Sequence, residues 1–313
     1  MLMKPMLRFV PDGTQIRFMN GRFAGLIVSA VLSTASIILF FYPGLNLGLD
    51  FKGGVVLQVE TPQTANFPAI RAALAQAGLA DASLQSFGSG GTGVLISLES
   101  KASAAATQTS ISEAQSALAS AAPGAKILST QAIGASVSKQ LFAQGLEALG
   151  LSFVMILAYI WFRFEWQFAV GAVTTLVLDT TKTIGFMVVT RIPFDLVTIA
   201  AILTIIGYST NDKVVVYDRV RENLRKYKTM PLRSLIDQSI NETLNRTLGT
   251  SGTVFLAALP LALFGGSALS GFAWIMLFGI VVGTSSSIFI AAPILLFLGE
   301  HRLRRSGSLP KAK

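Results

Sequence analysis

Long apolar runs bounded by polar or charged residues dominate the hydrophobic pattern of this 313-residue chain. One run precedes a stretch of mixed character, and the others fill the second half of the chain. The runs cover residues 23–42, 145–164, 168–190, 196–217, 247–264 and 272–298. About 20 helical residues cross the roughly 30 Å hydrocarbon layer of a bilayer, so the pattern predicts six transmembrane helices.

A signal peptide is the alternative interpretation of the first run, residues 23–42. The apolar part of a signal peptide covers only about 7 to 15 residues and ends at a cleavage site made of small residues. Tyr42, Pro43 and Gly44 do not resemble such a site. We therefore expect the first run to be retained as a transmembrane helix.

Residues 43–144 have the mixed pattern of a water-soluble domain. Strand-like runs lie at residues 55–59, 84–87, 94–98 and 126–130, and helical patterns lie at residues 67–77 and 103–121. A glycine-rich turn at residues 88–93 joins the two middle strands as a hairpin. The order strand, helix, hairpin, helix, strand predicts a small α+β domain of the ferredoxin-like kind, with its helices on one face of a mainly antiparallel sheet.

Composition supports a membrane protein. Hydrophobic residues make up 52% of the chain and charged residues 13%, and the mean hydropathy is +0.61, values unlike those of soluble globular domains. The net charge of +9 is compatible with nucleic-acid binding, but basic residues in membrane proteins more often mark cytoplasmic segments. The external domain has equal numbers of basic and acidic residues, which argues against a nucleic-acid partner.

The distribution of basic residues predicts the orientation of the helices. Lys and Arg are frequent in residues 1–22, in a predicted loop at residues 218–246 and in the tail, whereas the short links at residues 191–195 and 265–270 contain only Arg191 as a basic residue. The positive-inside rule therefore places both termini in the cytoplasm and the soluble domain outside. The predicted order is a cytoplasmic segment, a first helix, an external domain, a five-helix bundle and a basic tail, at residues 1–22, 23–42, 43–144, 145–299 and 300–313.

The fourth run ends in the stretch GYSTNDKVVVYDRVREN, residues 207–223, which contains an acid and a base. A charge at the centre of a bilayer costs about 2.5 to 3.5 kcal/mol on insertion scales, so Asp212 needs a partner, a proton or a water-lined cavity. Lys213 is a poor partner because adjacent helical residues point about 100° apart. A polar stripe at helical spacing, which we expect to face other helices, contains Thr204, Tyr208, Asn211 and Asp212.

Two other runs contain polar residues that share one helical face. On the third run these are Thr175, Asp179, Lys182 and Thr183, and on the fifth they are Thr243, Arg246, Thr250 and Thr253. Asp179 and Lys182 are spaced to pair along one helix. These groups predict a polar route through the bundle. In the alternative interpretation, Asp179 and Lys182 form a purely structural pair and Arg246 extends to lipid headgroups.

A glycine-rich motif, GLDFKGG, follows the first run at residues 48–54. Its notable residues are Gly48, Asp50, Phe51, Gly53 and Gly54. Paired glycines permit a sharp reversal or a close backbone approach, and Asp50 is placed to cap the turn. We interpret the motif as a structural hinge, with a client-binding site as the alternative.

This motif, the stretch at residues 207–223 and NETLNRTLGTSGT at residues 241–253 occur in an order that resembles the SecD/SecF family of protein-export membrane proteins. The similarity covers essentially the whole chain and favours the SecF branch, because GLDFKGG alone also suits SecD. Two positions differ from the pattern often found in that branch, with Leu178 in place of His and Lys213 in place of Thr.

The resemblance implies a proton-driven accessory subunit of the bacterial inner membrane with a periplasmic domain. Such proteins pair with SecD into a twelve-span unit similar to resistance-nodulation-division exporters, and they associate with the SecYEG channel, YajC and YidC to draw out unfolded secreted polypeptides. By motif position, Asp212 and Arg246 would have the proton-coupling roles. The supporting polar residues would be Asp179, Lys182, Tyr208, Asn211 and Lys213.

The residues also exclude several classes of enzyme. The chain has no GxxxxGK[ST] phosphate loop, no cysteine and a single histidine, His301, so nucleotide hydrolysis, a zinc site or a serine-hydrolase triad is not expected. We predict no cofactor or metal, only protons. The alternatives to an export subunit are half of a proton-driven small-molecule exporter and a scaffold whose buried charges are only structural.

Overall fold

The computed structural model describes residues 11, 14–87, 90–99 and 104–298. Within these residues six helices are long and apolar enough to cross a membrane, which confirms the predicted number. The structure is mostly helical, with one small sheet domain between the first and second of these helices. The first ten residues of the predicted cytoplasmic segment, part of the hairpin turn at residues 88–89, and the basic tail with His301 lie outside the described residues.

The chain enters the fold through a short 3₁₀ turn, Phe18–Gly21, and the spanning helix α1, Arg22–Phe41. Residues 14–20 lie against a later helix, where the Asn241 side chain pairs with both backbone groups of Ile16 at 2.8 and 3.0 Å. After α1 comes a single helical turn, α2, Leu49–Lys52, which contains the middle of the GLDFKGG motif.

The external domain has the predicted order of elements. They are β1 (Gly54–Glu60), α3 (Phe67–Gln76), β2 (Ser83–Phe87), β3 (Gly93–Leu98), α4 (Ala104–Ala121) and β4 (Lys126–Ile133). The sheet order is β2-β3-β1-β4 with every neighbouring pair antiparallel, the arrangement of a ferredoxin-like sheet. Val55, Leu57 and Val59 alternate inward from the central strand to meet Ile70 and Leu74 of α3, because side chains of a strand point to opposite faces in turn.

Five further spans form the bundle. They are α5 (Ala135–Arg163), α6 (Trp166–Thr190), α7 (Leu196–Lys226), α8 (Leu232–Phe264) and α9 (Gly266–Ser286), which continues through a π-helical segment (Ser287–Ala291) into α10 (Ala292–Phe297). Helices α6, α7 and α9 are the most buried spans, whereas α1, α5 and α8 expose most of their surface. The inner helices α6 and α7 contain the buried charged residues of the bundle, Asp179, Lys182, Asp212 and Lys213.

Residues 218–246, which the charge pattern predicted as a loop, are mostly helical. Helix α7 continues to Lys226 and α8 begins at Leu232, so the connection between them is short. The charges belong to this helical pair, since Arg219 bonds to Glu222 and Glu242 at 2.6 Å each, and apolar residues between them pack inward. The loop interpretation was wrong because hydropathy detects the end of an apolar run and not the end of a helix.

The predicted boundary between the domain and the bundle, at residues 144 and 145, falls inside α5. This helix starts at Ala135, directly after β4, so its first turns belong to the junction with the external domain. Gly145 lies near Phe51 of the motif, since a Cβ added there would be 3.5 Å from the Phe51 ring. The domain therefore connects to the bundle through a continuous helix on one side and through α2 on the other.

Candidate functional site

A buried carboxylate lies at the centre of the bundle. Asp179 of α6 is only 2% exposed, and its Oδ1 accepts a hydrogen bond from the Lys182 ammonium group at 3.3 Å, as the helical spacing predicted. Its Oδ2 accepts from the Lys213 ammonium group at 3.1 Å. One carboxylate therefore faces two buried cations from two helices. The second cation is the lysine that the sequence could only exclude as a partner for Asp212.

Hydroxyl groups complete the surroundings of Asp179. Ser209 and Ser286 donate to Oδ2 at 2.9 and 2.6 Å, and Lys182 also donates to Ser29 of α1 at 3.1 Å. The Lys213 ammonium group additionally contacts the Ser209 hydroxyl. A buried charge is tolerated when it is paired and hydrogen-bonded, and here those contacts join α1, α6, α7 and α9. We call Asp179, Lys182 and Lys213 the central charge cluster.

Small residues allow the helices to approach closely enough for these contacts. A Cβ at Gly279 of α9 would overlap Ile205 of α7, and one at Gly283 would lie 3.0 Å from the Ser209 hydroxyl. On the other side, a Cβ at Gly185 of α6 would overlap Ser36 of α1. Close backbone approach at small residues is the usual way that helices pack in membranes, and here it brings serine hydroxyls to the carboxylate.

Asp212 occupies a different environment from Asp179, although it directly precedes Lys213 in sequence. It is 2% exposed, and its Oδ2 has no hydrogen-bond partner among the described residues. Lys213 points to Asp179 instead, in agreement with the angle expected between adjacent residues. Asp212 is thus a buried acid without a paired cation, which is the arrangement that favours binding of a proton.

A chain of hydroxyl groups leads to Asp212. The Tyr208 hydroxyl donates to Ser251 of α8 at 2.9 Å, and Ser251 is 2.7 Å from the Thr284 hydroxyl of α9. Thr284 in turn lies near the Asp212 carboxyl group, although Asp212 Oδ2 has no hydrogen-bond partner among the described residues. We call Tyr208, Ser251 and Thr284 the hydroxyl chain. Hydroxyls both donate and accept hydrogen bonds, so this chain is chemically able to pass a proton.

Five other polar residues of the predicted route face outward. Thr204 and Asn211 of α7 are exposed, and so are Arg246, Thr250 and Thr253 of α8. Thr204 and Asn211, two of the four residues of the α7 stripe, are therefore not covered by other helices of this chain. The two sets flank in sequence the residues Tyr208 and Ser251, whose side chains meet between α7 and α8, and we call these five exposed residues the α7–α8 polar face.

Arg246 is not brought to Asp212 in this conformation. Its side chain is exposed and forms no ion pair with another described residue, and Thr250 donates to its backbone carbonyl at 3.0 Å. The hydroxyls of Thr243 and Thr253 also bond to backbone carbonyls of their own helix. Thr175 and Thr183 do the same on α6. These threonines satisfy their hydroxyls locally and do not line a route.

The GLDFKGG motif is far from these groups in sequence. It contacts the start of α7 and not the part of the helix around Asp212. Asp50 was predicted to cap its own turn, but it does not. Its carboxylate instead accepts a hydrogen bond from the backbone amide of Leu196 at 3.0 Å. Phe51 is buried between Phe142 and Phe194, with ring centroids 5.3 Å apart in each pair. The motif is therefore part of the contact between the domain and the bundle.

Sequence reasoning missed the serine and threonine residues that complete both groups. Ser209 precedes Lys213 by one helical turn, which is a local signal that could have been read. Ser251 lies in the stretch at residues 241–253, but Thr284 and Ser286 lie in a run of small residues that indicates only close packing. Their contacts with α6 and α7 depend on how the helices cross, which helical spacing does not specify.

Comparisons with known proteins match this chain to SecD/SecF proteins over most of its length. Residues 113–301 match the family described as Protein export membrane protein SecD/SecF, C-terminal, and residues 38–65 match the SecD/SecF GG Motif. Protein translocase subunit SecF of Rhodobacter capsulatus is 40% identical over 308 residues, which cover 95% of this chain and 92% of that one. The SecF subunit of Rickettsia bellii is 41% identical over 301 residues, covering 96% and 98%.

Solved structures show the same architecture. SecDF from Thermus thermophilus, a translocon-associated membrane protein, superposes with a TM-score of 0.83 at 30% identity, covering 91% of this chain and 39% of that chain. SecDF in a super-membrane-facing form gives a TM-score of 0.63 at 29% identity, with 97% and 41% covered. The chain thus spans about two fifths of the length of these SecDF chains.

These matches extend over both the external domain and the bundle and include the glycine motif. Together with the six spans and the inserted domain, they show that the chain belongs to the SecD/SecF family of protein-export membrane proteins, as a multi-pass translocase subunit of the SecF type.

Proposed function

We propose that this subunit, paired with SecD, uses the proton gradient to promote late export of unfolded polypeptides through the SecYEG channel. The observation that carries the proposal is the buried, unpaired Asp212 carboxyl group at the end of the hydroxyl chain. A carboxyl group that takes up and releases a proton inside a membrane needs such a site, because the interior disfavours a permanent unpaired charge.

The central charge cluster determines how protonation of Asp212 changes the net charge buried in the bundle. Asp179 and Asp212 carry two negative charges when ionised, and Lys182 and Lys213 carry two positive charges, so the buried group is neutral. A proton on Asp212 leaves one positive charge uncompensated. Because charge is costly in the bilayer, this change favours a conformation in which helices move or water enters, and helix movement is what must reach the exported polypeptide.

Arg246 has the proposed role of an electrostatic gate. It lies on the α7–α8 polar face beside the helix that contains Asp212. Movement of its guanidinium group toward Asp212 would stabilise the carboxylate and release the proton, and movement away would favour proton uptake. The gate thus needs a rearrangement of α8 relative to α7, since the two side chains are separate in the present conformation.

SecD is the proposed cover of the α7–α8 polar face. Polar residues on spanning helices almost always face a bundle interior or a water-filled cavity, and this face would otherwise meet lipid. The solved SecDF chains are more than twice as long as this chain, which leaves room for a second half in the same assembly. YajC and YidC complete the proposed set of partners, and the client is an unfolded polypeptide.

Reconstitution tests the proposal. The subunit and its SecD partner, placed with SecYEG in inverted vesicles under a proton gradient, should export a secreted polypeptide faster than vesicles that lack the pair. We expect the stimulation to disappear when an uncoupler dissipates the gradient. Gradient-driven movement of small molecules without any effect on polypeptide export would instead support the exporter function and would contradict this proposal.

Reporter fusions test the proposed topology. A fusion after Gly93, in the external domain, should behave as exported because the positive-inside rule places that domain in the periplasm. A fusion after Lys228, in the connection between α7 and α8, should behave as cytoplasmic. Paired alkaline phosphatase and green fluorescent protein fusions at both positions measure this, and the reverse pattern would overturn the orientation.

A further inference from the structure

The segment around the GLDFKGG motif is fastened to the connection between α6 and α7. Phe194 donates its amide to the Asn46 carbonyl at 2.7 Å, and Gly48 donates its amide to the Phe194 carbonyl at 2.8 Å. The Asn46 side chain also donates to the Arg191 carbonyl at 2.8 Å. These residues are about 145 positions apart in sequence, so the bonds are tertiary and hold the outer end of α1 against the start of α7.

Asp50 extends this contact to the first turn of α7. The opening amides of a helix have no partners within the helix. Asp195 caps one of them, since its carboxylate accepts from Thr198 at 2.8 Å, and Asp50 caps a second by accepting from Leu196 at 3.0 Å. Burial raises the pKa of Asp195, and the nearby Asp50 carboxylate raises it further. Two acids from distant parts of the chain thus share one helix end.

The motif also joins two separate hydrophobic cores. Phe51 packs with Phe194, Ile199 and Ile202 in the core of the bundle, whereas the core of the external domain begins at Val55. Between them, Gly53 and Gly54 have φ values of +70° and +118°. Residues other than glycine rarely adopt such values. The change from one core to the other therefore takes place within two glycines.

Close contacts leave no room for side chains at two glycines of the motif. A Cβ at Gly48 would lie 2.9 Å from the Asp195 Cβ, and one at Gly53 would lie 2.9 Å from the Ser138 hydroxyl of α5. The motif is thus enclosed by the start of α7 on one side and by the start of α5 on the other. This enclosure explains its glycines without any contact to a client polypeptide.

We propose that residues 46–54 form a latch between the external domain and α7, with Asp50 as the positioning residue that couples the two. Helix α7 contains Asp212, so a change in domain orientation that pulls on α2 acts first on the Asp50 bond to Leu196 and thereby on the proton-binding helix. This inference rests on the proposed function for its coupling step, but the latch itself rests only on the contacts given above.

The test uses the full chain with its SecD partner in nanodiscs and compares Asp50→Ala with Asp50→Asn. Alanine removes the acceptor, whereas asparagine keeps a carbonyl oxygen for the Leu196 amide and also relieves the repulsion with Asp195. Hydrogen exchange at the first turn of α7 should be about fivefold faster in Asp50→Ala, the ratio expected from loss of a helix cap. Asp50→Asn and the exposed control Asp81→Ala should exchange like the wild type.

Export measured in the same preparations separates the latch from the coupling. We expect Asp50→Ala to lose most gradient stimulation and Asp50→Asn to retain it. Unchanged exchange in Asp50→Ala would overturn the latch, and faster exchange with wild-type stimulation would overturn the coupling. If the wild type itself shows no gradient stimulation, the proposed function fails, and the exchange rates still decide whether Asp50 holds the domain.

Discussion

Replacing Asp212 by Asn should abolish gradient-stimulated export while the subunit accumulates at its normal level. Asparagine keeps the size and most of the hydrogen bonding of a protonated aspartic acid, so the bundle should assemble. It cannot release a proton, so the buried charge never changes. Export in inverted vesicles with the gradient should fall to the rate measured without it, because the three groups of the central charge cluster are paired with one another and do not replace Asp212.

Variants of Asp218 on α7 and of Arg246 on α8 test whether this effect is specific to Asp212. Asp218→Asn removes a partly exposed carboxylate of α7 that pairs with Arg163, and it should export like the wild type. Arg246→Lys keeps the charge without the planar guanidinium group and should be partly active, whereas Arg246→Met should be inactive. Wild-type gradient stimulation in Asp212→Asn at normal abundance would show that this acid is structural.

Replacing Asp179 by Leu should destabilise the subunit strongly. The change leaves the Lys182 and Lys213 ammonium groups buried without the carboxylate that contacts both of them, and removal of one partner from a buried ion pair costs about 3 to 5 kcal/mol. Lys213→Met should cost less, because Asp179 keeps Lys182 and two serine hydroxyls. Thermal unfolding in detergent with the SecD partner present, together with cellular half-life, measures both effects.

A triple variant distinguishes charge imbalance from poor packing. Asp179→Leu combined with Lys182→Met and Lys213→Met contains no buried charge at this position and should regain most of the lost stability, since apolar replacement of a whole buried ion group is often neutral. Full abundance of Asp179→Leu alone would refute the ion-pair account. Export by the triple variant then shows whether the central charge cluster serves transport or only structure.

Helical periodicity and strand alternation were sufficient to predict the spans and the external domain. Those patterns are local, and the apolar runs and the β1 alternation at Val55, Leu57 and Val59 are readable without knowing their neighbours. Helix ends were harder to place. Arg219 and Glu242 were assigned to a loop because their charge ends the apolar run, although they bond across two helices.

Partners across helices were beyond the reach of the sequence. Spacing paired Asp179 with Lys182 and excluded Lys213 as a partner of Asp212, but it did not indicate that Lys213 crosses to Asp179. The same limit applies to Asp50, whose partner Leu196 is 146 positions away. Asn211 is exposed in this chain, and helical spacing does not indicate which surface would cover it.

Because α7 is long, a small tilt of this helix moves its two ends by distances comparable to a hydrogen bond. Its 31 residues contain no proline, and at 1.5 Å per residue they form a rod about 46 Å long with Asp212 near its midpoint. A rod of that length that tilts by about 5° around its midpoint moves each end by about 2 Å. That lever arm suffices to break the 3.0 Å bond between Leu196 and Asp50, so a small tilt would already release Asp50 from α7 while the backbone bonds of Asn46 and Gly48 to Phe194 remain.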